Sequence, residues 1–442
     1  MFRALTRLSV RMVERYLPDP YIFVLILTLV AAFAAMIVEQ QSPIAVITMW
    51  GDGFWGLLAF TMQMLLVLVA GYMLASSPII RRLLAAIASV VKSPGGAILL
   101  VTYIALVADW INWGFGLVVS ALFAKELAKR VKVDYRLLVA SAYSAFVVWH
   151  GGLAGSVSLT IATEGHFHED KIGVISTSQT IFSSFNLLLV LAMFIVMPLV
   201  NRLMMPREEE SVYIDPELLK AEEELAQAEQ ADNTITRPAD RLETSKILSL
   251  LVGFGGLAYL FNYFVIRGGG LNLNVVNFTF ITLAIVFHGN ARSLLRALQE
   301  AIKGGAGIVI QFPFYAGIMA IMIESGLAAS ISDWLISFAT AKTLAFWTFI
   351  SAGIVNIFVP SGGGQWAVQS PVVIASAQAL GADIPRVAMA VAWGDAWTNL
   401  LQPFWALPVL AIAGLKAKDI MGFCLIQLFI TGVIIAIGLT YF

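Results

Sequence analysis

Two glycine-containing segments place polar side chains in the middle of long apolar stretches. The first runs from Trp110 to Gly116 around Asn112, and the second runs from Asn356 to Trp366 with three consecutive glycines. Glycine permits a tight reversal of the chain. Backbone N–H groups at the start of the helix that follows would favour an anion. We therefore predict that both segments are binding tips, the alternative being turns whose glycines serve only close helix packing.

Two further apolar stretches are interrupted by polar residues. These are His150, Gly151, Gly152 and Ser156 in one stretch and Asp395, Asn399 and Gln402 in the other. Unwound carbonyls together with Asn, Ser or Asp oxygens suit Na⁺, whereas Asp or His can carry a proton. Ionisable groups are costly to keep within a membrane, so they are candidates for function. The alternative is that each is a buried polar group satisfied by a neighbour.

Tips and interruptions together give the predicted sites. The predicted substrate-binding residues are Asn112, Trp113, Gly114, His150, Gly151, Gly152, Ser361, Gly362, Gly363, Gly364, Gln365, Asn399 and Gln402. The predicted coupling-ion residues are Asn112, Gly116, Ser156, Asn356, Ser361, Asp395 and Asn399. No catalytic residue, metal or other cofactor is predicted beyond a coupling Na⁺ or H⁺, since the four histidines are scattered and there is one cysteine.

Tryptophan is concentrated in the same segments, as Trp113, Trp149, Trp366, Trp393, Trp397 and Trp405. These rings can line an apolar pocket for the tail of a substrate, or they can simply pack in the protein core. No Lys or Arg lies in the core of these segments. The charge of a substrate must therefore be met by helix N-termini, backbone amides and a co-bound cation or proton, which favours a small monoanion over a di- or tricarboxylate.

The composition is that of a membrane protein. Of 442 residues, 59% are hydrophobic and 12% are charged, and the mean hydropathy is +0.86. About a quarter of the residues of a soluble domain are charged. The net charge of −1 gives no basic excess for binding nucleic acid. The partners we predict are the lipid bilayer and a small carboxylate.

Apolar length predicts an all-α polytopic protein. Continuous spans are expected at 20–38, 53–75, 181–205, 246–266, 275–289, 305–323 and 421–441. Two re-entrant helical hairpins are expected at 97–124 and 344–380, because an arm such as 97–109 reaches only about 20 Å and cannot cross. Two discontinuous helices are expected at 137–163 and 386–414.

The resulting nine crossings agree with the positive-inside rule. With the Arg-rich N-terminus in the cytoplasm, Lys and Arg divide 23 to 4 between the cytoplasmic and outer sides. The C-terminus is then predicted outside, in a bacterial inner membrane. Residues 206–244, which contain two runs of three glutamates, are predicted to be a cytoplasmic acidic linker and a solvated tether.

The order of predicted features occurs twice, in 1–205 and in 245–442, with 246–266 as an extra span. A shift of about 250 residues superposes Gly114 on Gly364 and Arg136 on Arg386. Because an odd number of crossings separates corresponding elements, the second repeat is predicted to be inverted. Interrupted helices in inverted repeats indicate the midplane site of a secondary transporter.

Six strings resemble the short-chain fatty acid transporter family of the ion-transporter superfamily, over essentially the whole chain. They are Leu17-Pro18-Asp19-Pro20, Met49-Trp50-Gly51-Asp52-Gly53-Phe54-Trp55, Ile111-Asn112-Trp113-Gly114-Phe115-Gly116, Gln311-Phe312-Pro313-Phe314-Tyr315-Ala316-Gly317, Val359-Pro360-Ser361-Gly362-Gly363-Gly364 and Gln402-Pro403-Phe404-Trp405-Ala406-Leu407-Pro408. The resemblance implies uptake of acetoacetate, butyrate or a similar acid by an elevator-type carrier, with a scaffold domain and a moving transport domain. It also implies a homodimer. His150, Asp395 and Asp109 look atypical of the family, which leaves the coupling ion and the substrate open.

Other functions remain open at this stage. The chain can be a carrier of another organic anion such as a dicarboxylate, or a cation/proton antiporter of the same superfamily. An intramembrane enzyme using His150 and Asp395 is a different class, but the sequence has no nucleophile motif and no HExxH. A channel fits two opposed hairpins less well than alternating access does.

The charge count makes a topological prediction. A cysteine introduced at Lys171 is expected to react with an impermeant thiol reagent added from outside, and one at Glu223 only with reagent on the cytoplasmic side. Equal accessibility of both positions would overturn the nine-crossing path and the inverted repeat with it.

Overall fold

The computed structural model describes residues 20–220, 237–401 and 404–441, and the described elements are helical, with no strand among them. In the first half the α-helices are α1 (Pro20–Val38), α2 (Pro43–Gly53), α3 (Leu58–Ala75), α4 (Pro78–Ala88), α5 (Pro94–Ile111), α6 (Trp113–Ala128), α7 (Tyr135–Ser144), α8 (Ser156–Ile161), α9 (Glu169–Ile172) and α10 (Ser184–Leu203). A 3₁₀ segment, Ala145–Gly151, continues α7. Short 3₁₀ turns lie at Thr177–Gln179 and Glu208–Glu210.

The second half begins after the acidic stretch. Its helices are α11 (Pro238–Glu243), α12 (Lys246–Phe261), α13 (Leu273–His288), α14 (Ala291–Lys303), α15 (Ala306–Glu324), α16 (Leu327–Ile336), α17 (Leu344–Val355), α18 (Gly362–Leu380), α19 (Ile384–Thr398), α20 (Ala406–Ala413) and α21 (Ala417–Tyr441). A π-helical turn, Asn262–Ile266, extends α12.

Local sequence explains where several helices begin. Ser42, Ser77 and Ser93 each precede a proline, and each side chain accepts a hydrogen bond from the backbone N–H three residues on. Serine satisfies an N–H group that has no partner within the helix, and proline at the next position costs nothing because its own N–H is missing. Asp134 and Asp383 cap α7 and α19 in the same way.

The two halves repeat the same order of helices. The elements α1 to α8 and α10 correspond to α13 to α21 in order, and the caps Asp134 and Asp383 fall at equivalent positions. The contacts repeat as well, since α1 and α2 pack on α15 while α13 and α14 pack on α3. The first two helices of each half therefore pack against a long helix of the other half, α15 or α3.

Eight helices in the described residues are long and apolar enough to cross a membrane, which confirms a multi-pass membrane protein. They include α5, whose 18 residues begin at Pro94 and end at Ile111. Our expectation that the arm is only 97–109 was wrong, because the Ser93 cap starts the helix earlier and no residue before Asn112 stops it. The argument from length that this arm cannot cross therefore fails.

Other boundaries also differ from the sequence expectation. The span expected at 53–75 begins at Leu58, because α2 ends at Gly53 and a turn separates the two helices. The interruption of the first broken helix begins at Ala145 rather than at His150, since 3₁₀ geometry replaces the α-helix there. The second interruption lies between Thr398 and Ala406.

The described ends of the acidic linker are anchored to the helices by hydrogen bonds. Val212 pairs with the start of α7, where its carbonyl accepts from the N–H of Tyr135 at 2.7 Å and its own N–H donates to Asp134 at 2.8 Å. At the other end, Arg292 of α14 donates to Asp240 at 2.6 Å and to Glu243 at 2.9 Å. The glutamate run 222–224 lies outside the described residues.

A buried amide cluster ties α10 to three other helices and gives a prediction for stability. Asn201 donates to Thr102 and Ser144, both at 3.1 Å, and accepts from Gln427 at 2.6 Å. The variant Asn201→Leu removes these three hydrogen bonds and leaves the buried Nε2 of Gln427 without its acceptor, so we expect it to lower the free energy of unfolding in detergent by about 1–3 kcal/mol. The exposed control Thr440→Val should change it little. Equal stability of both variants would contradict the proposed role of the cluster.

A histidine in the loop between α8 and α10, outside the membrane-spanning segments, predicts a pH effect. His168 is buried and its Nε2 lies 2.6 Å from Ser370 Oγ on α18. Burial, helped by the positive charge of Lys171, lowers the pKa of His168 to about 4. Between the ordinary value of about 6.5 and this value, the unfolded chain binds a proton that the folded chain does not. The group therefore makes stability fall as the pH drops through that window.

The corresponding measurement is the melting temperature in detergent at about pH 7 and about pH 5. The parent protein should lose more stability on acidification than His168→Gln, whose amide keeps a hydrogen-bonding group beside Ser370 but does not titrate. An identical loss in both proteins would mean that His168 does not govern this response.

Candidate functional site

The first predicted tip is a one-residue junction between α5 and α6. Asn112 adopts an extended conformation there, and its side-chain oxygen accepts from the N–H of Phe115 at 2.9 Å, which caps α6. Gly71 of α3 packs directly on this cap, and Gly114 packs on the backbone of Leu68. The glycines thus let the junction approach α3 more closely than any larger residue would permit.

The first interruption is held by groups from two other helices. The carbonyl of Gly151 accepts from Nδ2 of Asn186 at 3.0 Å and from Nε1 of Trp110 at 3.2 Å. The N–H of Leu153 donates to the carbonyl of Trp110 at 2.7 Å. Gly152 packs against the backbone of Trp110, where a Cβ would have no room. The end of α5 therefore satisfies backbone groups that the broken helix leaves free.

The second predicted tip connects α17 to α18. Ser361 caps α18, and its hydroxyl accepts from the N–H of Gly364 at 3.4 Å. A Cβ on Gly363 would lie 2.8 Å from Phe60 and 3.2 Å from Met64, both on α3. Gly364 packs on the ring of Tyr315 in α15. This tip is therefore pressed between the two long helices α3 and α15.

The second tip is hydrogen-bonded to the second interruption. Nδ2 of Asn356 donates to the carbonyl of Asp395 at 2.9 Å, to Thr398 Oγ1 at 2.9 Å and to Asn399 Oδ1 at 3.0 Å. The hydroxyl of Tyr143, on α7, donates to the carbonyl of Asn399 at 2.6 Å. One side chain from each half of the chain thus stabilises the end of α19.

The centre of the site is a fully buried pair from the two interruptions. Nε2 of His150 lies 3.6 Å from Oδ1 of Asp395, slightly beyond hydrogen-bonding distance, and both side chains are 0% exposed. The first residue of α18, Gly362, packs on the His150 ring so closely that a Cβ would overlap it. The second tip and the first interruption therefore meet at His150.

An aromatic wall adjoins this pair. Trp149 stacks on His150 with ring centroids 3.6 Å apart, and Trp113 lies 5.7 Å from Trp149 and 5.1 Å from Trp405. The indole N–H groups of Trp113, Trp149 and Trp405 are buried and have no acceptor in the described protein. Buried donors without partners are rare in proteins and call for an explanation. Here they supply donors that a bound anion can use.

The structure brings some of the predicted residues together and separates others. Those that meet in or directly beside the central cluster are Trp113, His150, Gly151, Asn356, Gly362, Asp395 and Asn399. Those whose contacts are helix packing or capping are Asn112, Gly114, Gly116, Gly152, Ser361, Gly363 and Gly364. Gln365 donates to Ala352 at 2.8 Å, one turn before Asn356. Ser156 begins α8, which packs on α18 and α19, and Gln402 lies outside the described residues.

Three residues of the cluster were missed by the sequence prediction. Asn186 donates to Gly151 and accepts from Trp393 at 3.0 Å, Tyr143 binds Asn399, and Thr398 accepts from Asn356. A lone asparagine near the start of an apolar span was the available signal for Asn186. Tyr143 and Thr398 have partners 256 and 42 residues distant in the chain, so local pattern could not find them.

The charges around the cluster limit what it can bind. Among the described residues no Lys or Arg side chain is buried, and no group of three His, Cys, Asp or Glu could hold a metal ion. A cleft of about 180 Å³ opens between α3 and the loop 160–167 and reaches Phe60, the ring that touches Gly363. Within the described residues the cluster therefore combines unpartnered donors with the His150–Asp395 pair but no buried Lys or Arg, and a cleft leads toward its second tip.

Known proteins resemble this chain over its full length. A family model described as short chain fatty acid transporter matches residues 1–442. The chain is 46% identical over 443 residues to a provisionally named short-chain fatty acid transporter of Escherichia coli (strain K12), with 100% of both chains covered. It is 43% identical over 449 residues to one of the same name from Haemophilus influenzae (strain ATCC 51907 / DSM 11121 / KW20 / Rd), again with 100% of both covered.

Two solved structures share the fold. The YdaH transporter of Alcanivorax borkumensis superposes with a TM-score of 0.60 at 16% identity, over 96% of this chain and 97% of that one. MtrF of Neisseria gonorrhoeae, described as illuminating a class of antimetabolite efflux pumps, gives 0.51 at 16% identity over 98% and 97%. The family match over the whole length and the two close relatives decide the classification: this chain belongs to the short-chain fatty acid transporter family.

Proposed function

We propose that the protein takes up short-chain monocarboxylates such as acetoacetate or butyrate by symport with Na⁺ or H⁺, through the cluster around His150, Gly362 and Asp395. The observation that carries this proposal is the meeting of the α18 N-terminus with the first interruption at His150. Two breaks from the two halves of a membrane protein converge there on one buried point. Such convergence is typical of a secondary transporter's substrate site.

The donors around this point suit a carboxylate. The start of α18, where the first N–H groups lack helical partners and the dipole is positive, packs against His150. The unpartnered indole N–H groups of Trp113, Trp149 and Trp405 are further donors. Their ring faces provide an apolar wall for an alkyl chain of a few carbons. The solute is therefore held by its carboxylate at the helix terminus and by its tail against the rings.

A coupling cation follows from the charge balance. A substrate anion approaching the Asp395 carboxylate is repelled, and no buried Lys or Arg in the described residues compensates it. Na⁺ or H⁺ must then enter with the substrate. The buried Oδ1 of Asn356 has no partner and is available as a cation ligand, whereas Oδ1 of Asn112 already caps α6. This favours Asn356 over Asn112 as a coupling-ion residue.

The movement we propose is of the elevator type. In this arrangement α5 to α8 and α17 to α20 move as a transport domain against a scaffold containing α3 and α15, with the second repeat inverted. Gly114 on Leu68 and Gly364 on Tyr315 are equivalent contacts between the two groups of helices. Small residues at such contacts give a surface without large interlocking side chains. We further propose a homodimer in a bacterial inner membrane, with the N-terminus cytoplasmic and the C-terminus outside.

Reconstitution tests the transport function. Proteoliposomes should accumulate labelled butyrate in a saturable manner under an imposed Na⁺ or H⁺ gradient, each applied separately. Preferential accumulation of a dicarboxylate would show that the substrate is another anion. Cation exchange without carboxylate would indicate an antiporter. Linear flux would indicate a channel, and chemical conversion of the substrate would indicate an enzyme.

A substitution at Gly362 tests most directly whether the N-terminus of α18 belongs to the substrate site. Gly362→Ala places a Cβ against the rings of His150 and Trp149, so we expect butyrate uptake to fall at least about tenfold, a cost of about 1.4 kcal/mol or more in transition-state or binding free energy. The control Gly51→Ala adds the same methyl group where no atom lies within 4 Å. Both variants should elute as folded protein on size exclusion. Equal uptake by Gly362→Ala and Gly51→Ala would show that the N-terminus of α18 is not part of the substrate site.

A further inference from the structure

A second buried carboxylate lies at the first tip, away from the His150–Asp395 pair. Asp109 is in the last turn of α5, is 1% exposed, and neither of its oxygens has a hydrogen-bond partner in the described protein. Gly116 of α6 presses on it, and any Cβ at that position would overlap Oδ1 of Asp109. The carboxyl group is therefore enclosed by the junction of the two helices.

No charged group on the elements packed around α5 faces Asp109 as a counter-ion. The elements are α6, α7, the 3₁₀ segment and α10. Their titratable groups are Lys125 and Glu126 on α6, Tyr135, Arg136 and Tyr143 on α7, His150 on the 3₁₀ segment and Arg202 on α10, and α5 itself adds Tyr103. His150 faces Asp395, and Arg136 pairs with Asp134.

The remaining charges lie at the far ends of their helices. Lys125 is nine residues beyond Gly116, about 13 Å along α6. Arg202 lies beside Gly95, at the opposite end of α5 from Asp109. Tyr143 is close enough to interact electrostatically with both Asp109 and Asp395, but it is a neutral phenol that donates to Asn399. On the described elements packed around α5, Asp109 thus has no cation to neutralise it.

An uncompensated carboxylate at this depth must bind a proton or a metal cation, because isolated charge is strongly disfavoured in a low-dielectric interior. A metal cation prefers several oxygen ligands. The unpartnered amide nitrogen at the same tip, Nδ2 of Asn112, is a donor and cannot ligate a metal ion. A proton, in contrast, needs only one carboxylate oxygen.

We propose that Asp109 is a proton-binding site, distinct from the His150–Asp395 pair, and that it carries the coupling proton of transport. The coupling role rests on the proposed symport, whereas the proton site itself does not. In each cycle one O–H bond forms when the Asp109 carboxylate takes a proton from the outer side. The same bond breaks when the proton is released to the cytoplasm, so one positive charge accompanies one monocarboxylate.

Infrared spectroscopy tests the site without any substrate. Purified Asp395→Asn protein should show the carbonyl-stretch band of a protonated, non-hydrogen-bonded carboxylic acid, and the double variant with Asp109→Asn should lack it. Among the described residues, the other buried aspartates, Asp134 and Asp240, form ion pairs with arginines. The exposed control Asp333→Asn should leave the band unchanged, and added NaCl should not remove it.

Transport measurements test the coupling. Asp109→Asn should lose accumulation of butyrate driven by a pH gradient, by at least about tenfold, while exchange of labelled for unlabelled butyrate persists at a reduced rate. If the parent protein transports no butyrate but the Asp395→Asn protein shows the band, the symport is refuted while the proton site is supported. Absence of the band in Asp395→Asn, or its removal by Na⁺, would overturn the assignment of Asp109. Because that spectrum does not need Asp109→Asn to fold, the assignment can still be refuted if the variant aggregates.

Discussion

The structure depends on one constraint: backbone that leaves helical geometry inside a membrane must find its hydrogen bonds within the protein. The carbonyl of Gly151 is satisfied by Asn186 and Trp110, and the carbonyl of Asn399, just past the end of α19, by Tyr143. Each partner comes from another segment. The two breaks and the two tips must therefore assemble as one unit, and the site is a consequence of that assembly.

The same assembly isolates two carboxylates from water. Asp395 lies beside His150. Asp109 is instead enclosed by Gly116 and the junction between α5 and α6. These unequal surroundings are the basis of the different roles proposed for the two acids, a response to a substrate anion for Asp395 and proton exchange for Asp109. Glycines at the junctions are small enough to place these groups beside α3 and α15 without separating the helices.

Much of this organisation could be read from sequence. The junction at Asn112, the glycine tip before α18, both interruptions and the repeat order follow from local pattern, and the family resemblance is confirmed by the match over residues 1–442. The length of α5 was missed because a single Ser-Pro cap extends it. The packing of Gly363 and the contacts of Tyr143 depend on residues far away in the chain, which periodicity does not report.

The central claim is that a carboxylate binds where α18 meets the first interruption. The most direct measurement is an experimental structure of the protein with bromine-labelled butyrate, in which anomalous scattering locates the bromine. The account predicts the carboxylate at the N–H groups of Gly362 and Gly363 beside His150, with the bromine against Trp149 or Trp405. A ligand found only in the cleft at Phe60, with the contact between Gly362 and His150 unchanged, would contradict it.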